Sequence, residues 1–134
     1  MMTMTLARVE AEFGLTYDEH LDREAGIPTV KDTPAPQGDV MIRPVAGLDP
    51  ATTAVPPGGV AVVRGENGGN THLLVGEAFF DFRENGLVIG VVTVPEGATA
   101  LLSHPEHGGF LIAPGSYEIR RQREQKDEIE LVRD

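Results

Sequence analysis

Three histidines, His72, His104 and His107, are the residues whose type and spacing point most directly to chemistry. Imidazole is a common ligand for zinc, iron, copper and nickel. Three imidazoles meeting at one end of a β-barrel would suit a divalent transition metal such as zinc and leave a coordination position open. Asn70 and Glu106 are additional oxygen donors for such a site, and Glu77 is placed to support it. The competing reading is plainer. His104-Pro105-Glu106-His107 is also a good turn, with proline at its second position and imidazoles bonded to backbone carbonyls. Sequence separation alone does not decide whether His72 meets the other two. The fourth histidine, His20, falls in an N-terminal segment expected to be helical and faces solvent.

Other chemistry is weakly represented. The chain has no P-loop, no dinucleotide fingerprint, no His-Glu-x-x-His and no Gly-x-Ser-x-Gly. Residues 65–69 are glycine-rich but lie between two strands, so no helix N-terminus is there to receive phosphate. Glu77 and Asp81 share a strand face as acid–base partners would, yet an exposed strand face explains them as well. Ser103 adjoins His104, but adjacent strand residues point to opposite faces, which argues against a Ser–His pair. Arg120, Arg121 and Arg123 form the one basic patch, and their alternation with Glu118 and Glu124 fits cross-strand pairing with the acidic 128–130 segment.

The elements that must position these residues are mostly strands. Leu6, Val9 and Phe13 mark one face of a helix that Gly14 ends, and Thr16 with Glu19 forms a capping box for a second short helix running to about Ala25. Residues 1–26 thus read as a helical arm. Residues 27–37 hold three prolines and read as an extended linker, unsuited to a helix or a central strand. Residues 38–134 read as a β-domain, with strands at 39–45, 59–64, 71–75, 77–82, 87–94, 98–103, 110–113, 116–123 and 128–132. Gly76 marks a bulge or bend. Residues 87–94 are nearly all apolar and predict a strand covered on both faces. The fold class is all-β, a barrel or sandwich of about eight short strands with a short N-terminal helical arm.

Composition bounds the rest. The 134 residues fit one domain with a real core. With no cysteine, disulfides, thiolate metal sites and a cysteine nucleophile are excluded. Asp and Glu outnumber Lys and Arg by 21 to 11, a net charge of −10 that disfavours nucleic acid and anionic membranes. No apolar run reaches the ~20 residues of a membrane span, and the N-terminus lacks the pattern of a secretory signal. The expected location is the cytoplasm, or a virion if the protein is phage-encoded. Seven aromatic residues and no tryptophan disfavour a carbohydrate- or peptide-binding sandwich.

One resemblance adds to this. The sequence contains Gln37-Gly38-Asp39-Val40, then Gly65-Glu66-Asn67-Gly68-Gly69-Asn70-Thr71-His72, then His104-Pro105-Glu106-His107, Pro114-Gly115-Ser116-Tyr117 and Arg121-Gln122-Arg123-Glu124. In this order, over about residues 37–124, it resembles a group of small bacterial and phage proteins with no assigned activity. In that group the second segment ends His-x-His, the third is His-Glu-Glu-His, and the fourth is Pro-x-Gly-x-Tyr. Here Asn70 replaces the first histidine, Pro105 replaces an acid, and the fourth segment is one residue shorter. The resemblance implies a phage or prophage setting and no particular reaction. Between two readings, the sequence favours a non-enzymatic structural or interaction module, oligomeric, with its arm docked on a neighbour. A cupin-like metal-binding barrel using the three histidines is the alternative.

Overall fold

The computed structural model describes residues 4–64 and 71–122. One helix, α1 (Leu6–Phe13), precedes ten strands: β1 (Thr29–Val30), β2 (Ala35–Gln37), β3 (Val40–Pro44), β4 (Val60–Val63), β5 (His72–Gly76), β6 (Phe79–Asn85), β7 (Val88–Val94), β8 (Ala100–His104), β9 (Gly108–Ile112) and β10 (Gly115–Arg121). They form two five-stranded sheets, ordered β1-β9-β8-β5-β4 and β2-β3-β10-β7-β6. The sheets stack as an open sandwich and do not close into a barrel. Every pairing is antiparallel except β1 with β9.

Alternation along the strands builds the core. Leu74 of β5 pairs with Leu102 of β8, and both point between the sheets with Phe110, Ile42, Val92 and Ile119. Leu101 and Val75 point the other way. β7 is buried on both faces, as its apolar run predicts. Gly76 does sit at a bend, with φ +111°. Tyr117 reaches from β10 across the core edge, its hydroxyl donating to the Ala113 carbonyl at 2.7 Å.

Two expectations are corrected. The linker is not free of the sheets: residues 29–30 and 35–37 supply β1 and β2, one edge strand of each sheet. Edges are where prolines are tolerated, because an outward-facing position needs no amide donor. This raises the strand count from about eight to ten among the described residues.

The second helix does not form. Arg23 takes its place as an organiser: its guanidinium donates to the carbonyls of Tyr17, Asp18 and Leu21 and to the Glu10 carboxylate. Those carbonyls are satisfied without helical bonds, and Tyr17 is drawn inward to meet the Ser103 hydroxyl. The first helix is as expected, with Thr5 accepting from the Arg8 amide and Gly14 capping it at φ +66°. Leu6 and Val9 press it onto the outer face of the first sheet, over Val75 and Leu101. The arm thus packs on its own domain. The expected 128–132 strand lies outside the described residues.

Candidate functional site

The three histidines meet at one end of the sandwich. The β5–β8 register pairs Leu73 with Ser103, so one step further His72 stands opposite His104. Their ring centroids are 4.5 Å apart, and those of His104 and His107 are 4.4 Å apart. Alternation turns Ser103 to the outer face and His104 inward, as expected for neighbours on a strand. His72 and His104 are buried, whereas His107 is exposed.

The second sheet contributes two partners that the histidine pattern alone did not reveal, Gln37 and Asp39. Gln37 ends β2, is buried, and pairs with Val40 across the tight Gly38-Asp39 turn. Its side-chain amide nitrogen donates to the carbonyls of Leu102 at 3.0 Å and Gly108 at 3.3 Å. With two carbonyls fixing the nitrogen, Oε1 must face His72 Nδ1, 2.9 Å away. An acceptor there places the ring proton on Nδ1. His72 Nε2 in turn lies 2.9 Å from Asp39 Oδ1. Neutral His72 thus aims a lone pair at a carboxylate oxygen, and the contact is favourable only with a cation, proton or metal, shared by the two atoms.

Burial pushes His72 below the usual imidazole range, against the upward pull of the Asp39 hydrogen bond and charge. Burial pushes Asp39 up, but the His72 hydrogen bond and its own backbone outweigh this and leave it below the usual carboxylate range. His104 is held low by burial first and by the His72 and His107 rings next.

His104 Nδ1 accepts from the amides of Glu106 at 3.1 Å and His107 at 3.3 Å. Its neutral form therefore carries the proton on Nε2. The His-Pro-Glu-His segment is thus a turn, as its simpler reading held, but one whose imidazole accepts from amides. Glu106 enters through its backbone N–H. His107 lies over the Gly38 backbone: a Cβ added there would stand 2.8 Å from its ring. Among the described residues its ring nitrogens have no hydrogen-bond partner.

The remaining sequence candidates lie elsewhere. Asn70 is outside the described residues. His20 is exposed beside Asp18, and Asp81 binds the amides of Thr52 and Thr53. Glu77 precedes β6 and the two do not form a strand-face pair. Arg120 joins Arg43 on Glu118, while Arg123 is outside the described residues. As they stand, no three His, Asp or Glu side chains among the described residues are arranged to hold a metal ion together. No helix among them is long and apolar enough to cross a membrane.

A signal for Gln37 and Asp39 was present in the sequence, since they belong to the Gln-Gly-Asp-Val segment. Three of the segments that carry the resemblance converge on this one cluster. A family model, described as a domain of unknown function (DUF8820), matches residues 36–122, a span that begins at the Gln37 turn and contains every described member of the cluster. No curated protein and no solved structure matches the chain.

Proposed function

We propose that this chain, which belongs to the DUF8820 family of unknown function, is a metal-binding β-sandwich module whose centre is His72, Asp39 and His107. The observation that carries the reading is the His72–Asp39 contact. Gln37 locks the proton on Nδ1, as an outer partner does for a metal-ligating imidazole, and leaves the Nε2 lone pair against a carboxylate oxygen. Two donor atoms each about 2.1 Å from a tetrahedral zinc stand about 3.4 Å apart, so the pair opens by about 0.5 Å from its 2.9 Å separation to admit the ion. His107 is exposed, lies over the adjoining Gly38 and can turn its ring to complete a two-histidine, one-carboxylate set with a position left for water. His104 keeps its place as the cap of the turn beside the ion, because ligation through Nδ1 would remove two amide bonds.

Elemental analysis and calorimetric titration of the tag-free protein with zinc and nickel test this. Near-stoichiometric binding is expected, lost in Asp39→Asn and His72→Ala and weakened at least tenfold in His107→Gln. The Asp39 and His107 side chains are exposed, so those variants keep the fold if His72→Ala does not. Absence of binding by the wild-type protein, with His72 carrying protons on both nitrogens by nitrogen NMR, overturns the reading in favour of a shared proton.

A second reading keeps the chain as a non-enzymatic structural or interaction module, phage-encoded and working in the cytoplasm or a virion. One observation favours an interaction role: Phe82, edge-on to Phe80 on an edge strand, is 56% exposed.

A further inference from the structure

The parallel ladder between β1 and β9 stops one rung short of the histidines. The Leu111 N–H donates to the Pro28 carbonyl and the Ala113 N–H to the Val30 carbonyl, each at 2.9 Å. Carried one step further, the ladder would take an N–H of residue 28 to the Gly109 carbonyl and the Gly109 N–H to the Gly26 carbonyl. Proline has no N–H to give. The chain before it is also drawn away. The Ile27 N–H donates to the Met4 carbonyl at 2.7 Å, the Leu6 N–H to the Ala25 carbonyl at 3.0 Å, and Gly26 bridges Thr5.

Gly109 is thereby left with both main-chain groups open. It stands opposite Ser103 of β8, but backbone groups alternate along a strand, so its N–H and carbonyl face the β1 side, as the Leu111 N–H does. No group among the described residues meets them there. The gap is a pocket of about 260 Å³, lined by Pro28 from one side and Gly109 from the other. Leu6, Leu21, Ile27 and Pro36 make much of the remaining wall apolar.

We infer that this pocket binds a small neutral carboxamide with a short aliphatic body. A carboxamide carries an acceptor and a donor on neighbouring atoms, the complement of the Gly109 N–H and carbonyl, so it supplies the rung that Pro28 withholds. Its aliphatic body then lies against Leu6, Leu21 and Ile27, out of water. The pocket has room for about eight water molecules at ~30 Å³ each, enough for an amide of that kind. Charge sets aside the nearest competitors. No Lys or Arg lines the pocket, so a carboxylate or phosphate finds no counter-ion there in a chain of charge −10. The one acid, Asp22, is exposed and its carboxylate takes the Glu24 N–H at 2.9 Å, so an amine gains little over water. The inference does not rest on the metal reading, although His107 borders both sites.

The test titrates the full chain with isocaproamide, methyl isocaproate, isocaproate and isohexylamine, compounds that share one aliphatic body and differ in the head group. EDTA is present throughout, so the outcome is separate from that of the metal titrations. Amide chemical shifts are followed. The carboxamide is expected to move the resonances of Gly109 and Ile27 and to bind at least fivefold more tightly than each of the other three. Pro28→Ala, at an exposed position, restores an N–H facing the Gly109 carbonyl. It is expected to weaken the carboxamide at least fivefold and to leave the ester unchanged, whereas Leu21→Ala weakens both. Shifts confined to other residues, an ester that binds as well as the carboxamide, or tighter binding of the carboxylate or the amine overturns the inference. So does a Pro28→Ala variant that binds the carboxamide as the wild type does.

Discussion

At the scale of single residues, polar side chains in this protein are placed by carbonyls and amides more than by one another. Gln37 shows this best, since two backbone carbonyls decide which end of its amide faces His72. Asp81 is the acidic counterpart. The Thr53 side chain and the Thr52 amide, helped by Arg83, hold its carboxyl down at about 2, against an ordinary value of 3.8. A carboxylate with a depressed folded pKa adds stability that is complete above its unfolded value and disappears as pH falls through the folded one. The carbon NMR titration of Asp81 should therefore have its midpoint near 2. The stability difference between the wild type and Asp81→Asn should be full above pH 3.8 and vanish by about pH 2. A titration midpoint at the ordinary value would refute the assignment of those amides to Asp81.

At the scale of elements, the β2–β3 turn carries the site. Gly38 has φ +60°, a conformation that costs a residue with a side chain about 1–2 kcal/mol. A Cβ there would also stand 2.8 Å from the His107 ring, whereas Gly47, at φ +73°, has open space around it. Gly38→Ala should therefore lower stability by more than Gly47→Ala, measured as the shift in denaturant midpoint at constant slope. Any excess reports the His107 contact, and equal losses would mean that the exposed ring turns aside without cost. The turn itself was readable in advance as part of Gln-Gly-Asp-Val. That its two flanking side chains would seize a histidine 33–35 positions away was not, because no local pattern encodes a contact between sheets.

At the scale of the whole molecule, the sandwich has one core between its sheets and a smaller one under the arm. The smaller core holds α1 and Tyr17 against β5 and β8. Leu6→Ala should cost about 2–4 kcal/mol, as for other buried leucines. Because the arm lies on its own sheet, that cost should not depend on protein concentration. Denaturation at tenfold different concentrations separates this from an arm borrowed by a neighbour, for which the loss would change with dilution.

The division between sequence and tertiary structure follows from the range of the forces involved. Alternation, turn residues and the apolar run at 87–94 placed the described strands of the β-domain to within three residues, because period-two patterning and glycine or proline punctuation act locally. The first helix was legible for the same reason, in its Leu6, Val9 and Phe13 stripe and the Gly14 that ends it, whereas its Thr5 cap emerged from the structure. Local signals failed at 16–25, where Arg23 bonds three carbonyls and Glu10 from thirteen residues away, displacing the helix that the capping box favours. The proline-rich segment at 27–37 became two edge strands because the sheets offered edges to it. The histidines stood out by type, but their meeting with Gln37 and Asp39 depended on the order of strands in two stacked sheets. That order is set by burial of the common core, to which every strand contributes and which no short stretch of sequence contains.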